Sequence, residues 1–222
     1  MDPRTTVENQ MRDDDTSDPV TKALLGESNY ERLRATRFGM FKQPIHRKLR
    51  WQSLLLFGLA LVLPLMAVFP SEVRATLPGG GSMAGAAPKV VVLGLVGGVV
   101  VLLGGLTLTA VGLLRVRLEP SMTEWQADTL LNVEEVASLL GIGTGGIGIL
   151  LTLGFTAIGF GGTQAVGAYV RTMGTSPFTA TGVEWLSVSS VATFAFVGSV
   201  ALFVFSQFVR LELYLRVEDA VL

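Results

Sequence analysis

The chain has 222 residues, half of them hydrophobic, and a mean hydropathy of +0.54. Only 16% are charged, against about 25% in ordinary soluble domains, so a water-soluble fold would lack the side chains to cover its surface. The lack of cysteine excludes disulfides, thiolate catalysis and Cys-ligated metal, and the net charge of −1 averages over a strongly asymmetric chain.

Residues 1–20 are polar and carry Asp13, Asp14, Asp15 and Asp18. Such a composition builds no core and reads as a mobile tail. The first apolar run starts only at Trp51, so no signal peptide is expected. Residues 20–38 offer a loosely amphipathic helix with Leu24, Leu25, Leu33 and Phe38. The cluster Lys42, Arg47, Lys48 and Arg50 then ends on Trp51. Cations beside anionic headgroups and an indole at the interface are the chemistry of a cytoplasmic membrane boundary.

Four apolar spans follow, at about 51–69, 90–114, 139–160 and 185–209. Each is near the ~20 residues that cross a hydrocarbon core. Pro64 is expected to kink the first. Two spans plus a turn need about forty residues or more, which the uncharged stretch 136–170 does not offer. One span ending at Gly161-Gly162 is the better count, with a re-entrant piece over 161–170 as the alternative. The first outer loop, "PGGGSMAGAAP", reads as flexible. In the inner loop, Ser121 and Glu124 form a capping-box pattern. The helix it starts would lay Trp125, Leu131, Val136 and Leu139 toward the membrane and Asp128 and Glu135 toward water, then merge or bend into the third span.

The stretch "GIGTGGIG", residues 141–148, contains the spacing G-x-G-x-x-G twice. A dinucleotide site needs a preceding strand, a solvent-facing helix start and an acid about twenty residues later. Here the glycines lie inside an apolar span, and "GFGGTQAVG" downstream has no acid. Gly141, Gly145, Gly148, Thr152, Thr156, Gly159 and Thr163 instead follow steps of four and three and form one helical stripe. Small residues in such a stripe let helix backbones approach closely. Gly94, Gly98, Gly105 and Gly112 repeat the device in the second span, and Ser189, Ala192, Ser199 and Ser206 give a softer version in the fourth.

"VRLE" occurs at Val116–Glu119 and Val209–Glu212. It reads either as a trace of duplication or as arginine meeting the negative helix end and the headgroups. His46 is the lone histidine and precedes the first span, so a serine–histidine pair at depth and a histidine metal site are both missing. No ionisable residue lies mid-span, where such groups mark ion paths. The acidic tail, the lack of cysteine and the Gly/Val/Thr-rich spans resemble, in composition, small polytopic membrane proteins of halophilic archaea. The resemblance implies no activity.

The expected fold is therefore all-α, an integral membrane four-helix bundle with an amphipathic inner-loop helix. A cytoplasmic N-terminal arm (1–50), a four-span domain (51–209) and a cytoplasmic C-terminal tail (210–222) make up the chain. Arg47, Lys48, Arg50, Arg115, Arg117, Arg210 and Arg216 lie on the proposed inner side, against Arg74, Lys89 and Arg171 outside, so both termini are expected in the cytoplasm of a multi-pass cell-membrane protein. The expected partners are the bilayer and a second copy or another membrane protein, met through the glycine faces. No catalytic residue, cofactor, metal or nucleic acid is expected. The leading function is a structural or accessory subunit. The alternative is an oligomeric channel or permease with a path along Thr107, Thr109, Thr152, Thr156 and Gln164, and a membrane enzyme stands third.

Overall fold

A computed structural model describes Tyr30, Leu33, Arg34, residues 43–79, Ser82, and residues 84–118, 121–183 and 185–219, with side chains as far as Glu212. The acidic tail, Lys42 and the glutamate of the first "VRLE" lie outside the described residues. Four helical segments are long and apolar enough to cross a membrane: Ile45–Ala67, Lys89–Leu118, Glu124–Met173 and Val188–Glu212. The chain is an all-α, integral membrane four-helix bundle.

The first span is two helices, α1 (Ile45–Ala60) and α2 (Val62–Ala67). Pro44 caps α1 in extended geometry, so residues 45–50 form the first turns of the span. Pro64 has no N–H to offer Ala60, four residues back. The helix breaks just there, and Leu61 N shares itself between Phe57 O and Gly58 O at 3.2 Å each. After the short α3 (Ser71–Ala75) comes α4 (Lys89–Leu118), an unbroken helix of 30 residues.

The inner-loop helix α5 spans Glu124–Ser138. Its capping box uses Thr123 and Gln126 in place of Ser121 and Glu124. Thr123 Oγ1 accepts from Gln126 N at 3.3 Å, and Gln126 Oε1 accepts from Thr123 N at 3.0 Å. The shift leaves Glu124 in the first turn, beside the positive helix end. No loop follows α5. A π-helical turn, Leu139–Gly145, joins it to α6 (Gly146–Ile158) as one rod.

At Gly159–Gly161 the rod tightens into a 3-10 turn, and Gly162 takes φ 71, a conformation that glycine adopts without steric cost. The chain then folds back as α7 (Gly162–Met173). A straight helix would hold Phe155 and Tyr169 about 21 Å apart; their ring centroids are 5.9 Å apart. No residue of α7 is buried, so it lies on the outside of the bundle. The last described helix is α8 (Val188–Asp219).

Leu49, Leu56, Leu59, Val101, Leu108, Ile149 and Leu202 fill the core. The outer surface is also apolar, with Leu54, Phe57, Leu103, Ile147, Leu150, Phe196 and Phe203 exposed. In lipid such a surface needs no polar cover, and helices satisfy their backbone internally. The ends of α4 and α8 are clasped together. Lys89 N donates to Thr179 O at 2.8 Å, Thr181 N to Ala87 O at 2.9 Å and Val188 N to Ala86 O at 2.8 Å. The second half of the glycine-rich loop, read as flexible, is thus pinned by backbone hydrogen bonds.

Candidate functional site

Two small-residue crossings and one buried charge cluster carry the polar and close-packed features of the bundle. The tightest crossing joins α4 to the π turn and α6. A methyl group added at Gly97 would lie 3.0 Å from both Gly145 O and Ile149 N. One at Gly145 would lie 2.9 Å from Gly97 O and from Val101 N, and one at Gly148 would lie 3.2 Å from Gly97 Cα. These neighbours are backbone, which cannot rotate away.

Four further glycines of α4 face side chains. Gly94 and Gly98 receive the Leu59 methyls at 2.7 and 2.8 Å from an added carbon, Gly105 receives Leu202 at 2.6 Å, and Gly112 faces Val209 at 3.3 Å. Gly159 is covered by the Phe69 ring. The stripes expected to meet other chains are filled here by helices of the same chain.

Gly97 and Gly104, which do most of the backbone contact, were not singled out in the sequence. Their signal is the doublet. Gly97-Gly98 and Gly104-Gly105 lie one heptad apart, so α4 offers two adjacent small faces to two neighbours.

Ser199 and Ser206 of α8 hydrogen-bond across to α1. Ser53 Oγ donates to Ser199 O at 2.9 Å, and Ser199 Oγ donates back to Ser53 O at 2.9 Å. Ser206 Oγ reaches His46 O at 2.8 Å, and Ser189 Oγ reaches Ala84 O at 2.8 Å. Gln52 is fully buried among Gly104, Gly105 and Gly141, and neither amide atom has a hydrogen-bond partner among the described residues.

The threonines named for a path do not converge. Thr107 is exposed and donates to Leu103 O at 2.9 Å. Thr109, Thr152 and Thr156 are buried, and each donates to the carbonyl four residues back, on Gly105, Gly148 and Thr152. Gln164 is exposed on α7.

At the basic end, Arg47, Arg50, Trp51, Arg117 and Arg210 are exposed. Lys48 and Arg115, expected beside headgroups, are instead buried. Lys48 Nζ donates to Glu134 Oε1 at 2.6 Å, and the Tyr30 hydroxyl donates to Glu134 Oε2. The Arg115 guanidinium sits 4.3 Å over the Tyr30 ring. Burial, first, and then the charge and hydrogen bond of Glu134 push the Tyr30 phenol well above its ordinary value, against the opposing fields of Arg115 and Arg34. Met122, Ala127 and Leu131 close the apolar side of this pocket.

Sequence reasoning passed over Glu134 in favour of the neighbouring Glu135. The inward stripe Ala127, Leu131, Glu134 and Ser138 holds steps of four, three and four, and a carboxylate inside such a stripe was the available signal. Among the described residues, no group of His, Asp or Glu could hold a metal ion. In comparisons with known proteins, no family model, curated protein or solved structure matches this chain.

Proposed function

We propose that this chain is a non-enzymatic structural or accessory subunit of the cell membrane, with both termini in the cytoplasm. The observation that supports it most is the use of the interior polar groups. Lys48 and Tyr30 hold Glu134, the serines tie α8 to α1, and the threonine hydroxyls return to their own helices. This is the chemistry of a scaffold. The exposed cations Arg47, Arg50, Arg117 and Arg210 gather at one end, which favours that end as cytoplasmic. Since the glycine faces serve helices of the same chain, a second copy or a partner would meet the outer apolar surface.

Two experiments test the reading. Reporter fusions at Met1 and Leu222 are expected to read inside, and an external C-terminus would overturn the orientation. Purification in mild detergent is expected to yield a homo-oligomer or a stoichiometric membrane partner, with no substrate-dependent flux in liposomes. A lone chain that supports flux would replace the subunit by a permease.

A further inference from the structure

We propose that a groove between α4 and α5 holds one acyl chain of a membrane lipid, with the polar head at its Asn132 end. The groove exists because small residues meet along its floor. A methyl at Gly104 would sit 2.8 Å from Ala137 O and 2.9 Å from Gly141 Cα, so no side chain fills the space beside this contact. The resulting groove has a volume of about 490 Å³ and is walled by Val100, Leu103, Thr107, Val133, Val136 and Leu140. That size lies within the range of small-ligand sites.

Three observations identify the occupant. The groove opens outward, and its rims, Leu103 (59% exposed) and Val136 (56%), continue the apolar surface that meets the bilayer. Hydrocarbon is therefore what stands at its mouth. The groove is also polarised. The far end is lined by Val100, Leu140 and Thr144. At the other end Asn132 donates to Asp128 at 3.2 Å. Trp125, 76% exposed, lies two turns closer to the start of α5 on the same helical face as Asn132. A dry trough with a polar end and an indole beyond it matches an amphiphile whose head lies at the interface. The rims, finally, are branched and bulky. A second helix backbone approaches closely over small residues, which these rims do not offer, whereas a flexible methylene chain needs no such approach.

The test uses the full chain in phosphatidylcholine vesicles that contain a trace of phosphatidylcholine with a diazirine in mid-chain. After illumination, adducts are mapped by mass spectrometry. Adducts at Val100, Leu103 and Leu140 are expected in excess over those at Val197 and Val204, exposed residues of α8. Val136→Trp fills the groove from its rim and is expected to abolish the excess while adducts at Val204 persist. Thr107→Leu, which narrows the groove from the other wall, gives the same reading if the tryptophan variant fails to fold. Equal labelling of both faces, or an excess that survives both variants, would overturn the proposal.

Discussion

A leucine at Gly145 would press on Gly97 O and Val101 N, backbone atoms of a neighbouring helix. Overpacking of this kind typically costs about 1–3 kcal/mol, and the rigid neighbours place Gly145→Leu toward the upper end. Leu150 points outward, so Leu150→Ile serves as the control. Thermal unfolding in detergent is expected to show a clear loss for the first variant and little change for the second. Equal stability would mean that the α4–α6 crossing is not tight. Glu134 raises a different energetic question. Breaking a buried ion pair by removing one partner costs about 3–5 kcal/mol, because the other charge stays buried. Glu134→Gln leaves the Lys48 ammonium without its counter-charge, so stability is expected to fall. Adding Lys48→Met to Glu134→Gln is expected to restore much of the loss. Additive losses in the double variant would show that the pair is not coupled.

The helix α5 carries two faces with separate duties. Its inner face supplies Ala127, Leu131, Glu134 and Ser138 to the basic end of the bundle, and the Tyr30 pocket is built on that face. Because the phenol is raised by burial and by Glu134, the pocket favours its neutral form. Docking of Tyr30 is therefore fully held below the ordinary tyrosine value near 10 and weakens as pH rises past it. Cleavage by an arginine-specific protease at Arg34 is expected to accelerate above pH ~10 in the native chain. In Tyr30→Phe it should be faster at neutral pH and lose this dependence, since the hydroxyl that binds Glu134 is gone. Identical pH profiles for the two chains would contradict the docking.

The same elements show how far a sequence pattern reaches. The glycine stripes, the Pro64 break and the stop at Gly161-Gly162 were legible because each follows from local backbone chemistry. The two-residue shift of the cap was not, since Ser121–Glu124 and Thr123–Gln126 both fit the capping pattern and tertiary packing chooses between them. The π turn was not legible either. Helical stripes are counted at 3.6 residues per turn, and a local change of that period leaves no mark in composition. Lys48 and Arg115 followed a rule for lipid-facing cations, and only the neighbouring Glu134 and Tyr30 reveal that they face inward. The fold-back of α7 required a contact, Phe155 with Tyr169, that no spacing announces.

For the molecule as a whole, helix length and membrane thickness set the layout. The 30 residues of α4 make a helix of about 45 Å, against a hydrocarbon core of about 30 Å. Some of α4 must stand outside the core, and its basic end carries Arg115 and Arg117. There the buried cluster sits between helices rather than in hydrocarbon. Within the core, the helices are held by glycine contacts and serine hydrogen bonds, the means available where lipid supplies no hydrophobic drive. These contacts close inside one chain. The lack of native cysteine permits a direct measurement, since Ser53 Oγ and Ser199 Oγ lie 3.3 Å apart. Ser53→Cys and Ser199→Cys in one chain, oxidised in native membranes, are expected to form an intramolecular disulfide. The product should run as a single compact monomer on a non-reducing gel. A disulfide-linked dimer, or two thiols that stay free and labelled from the lipid side, would contradict the account.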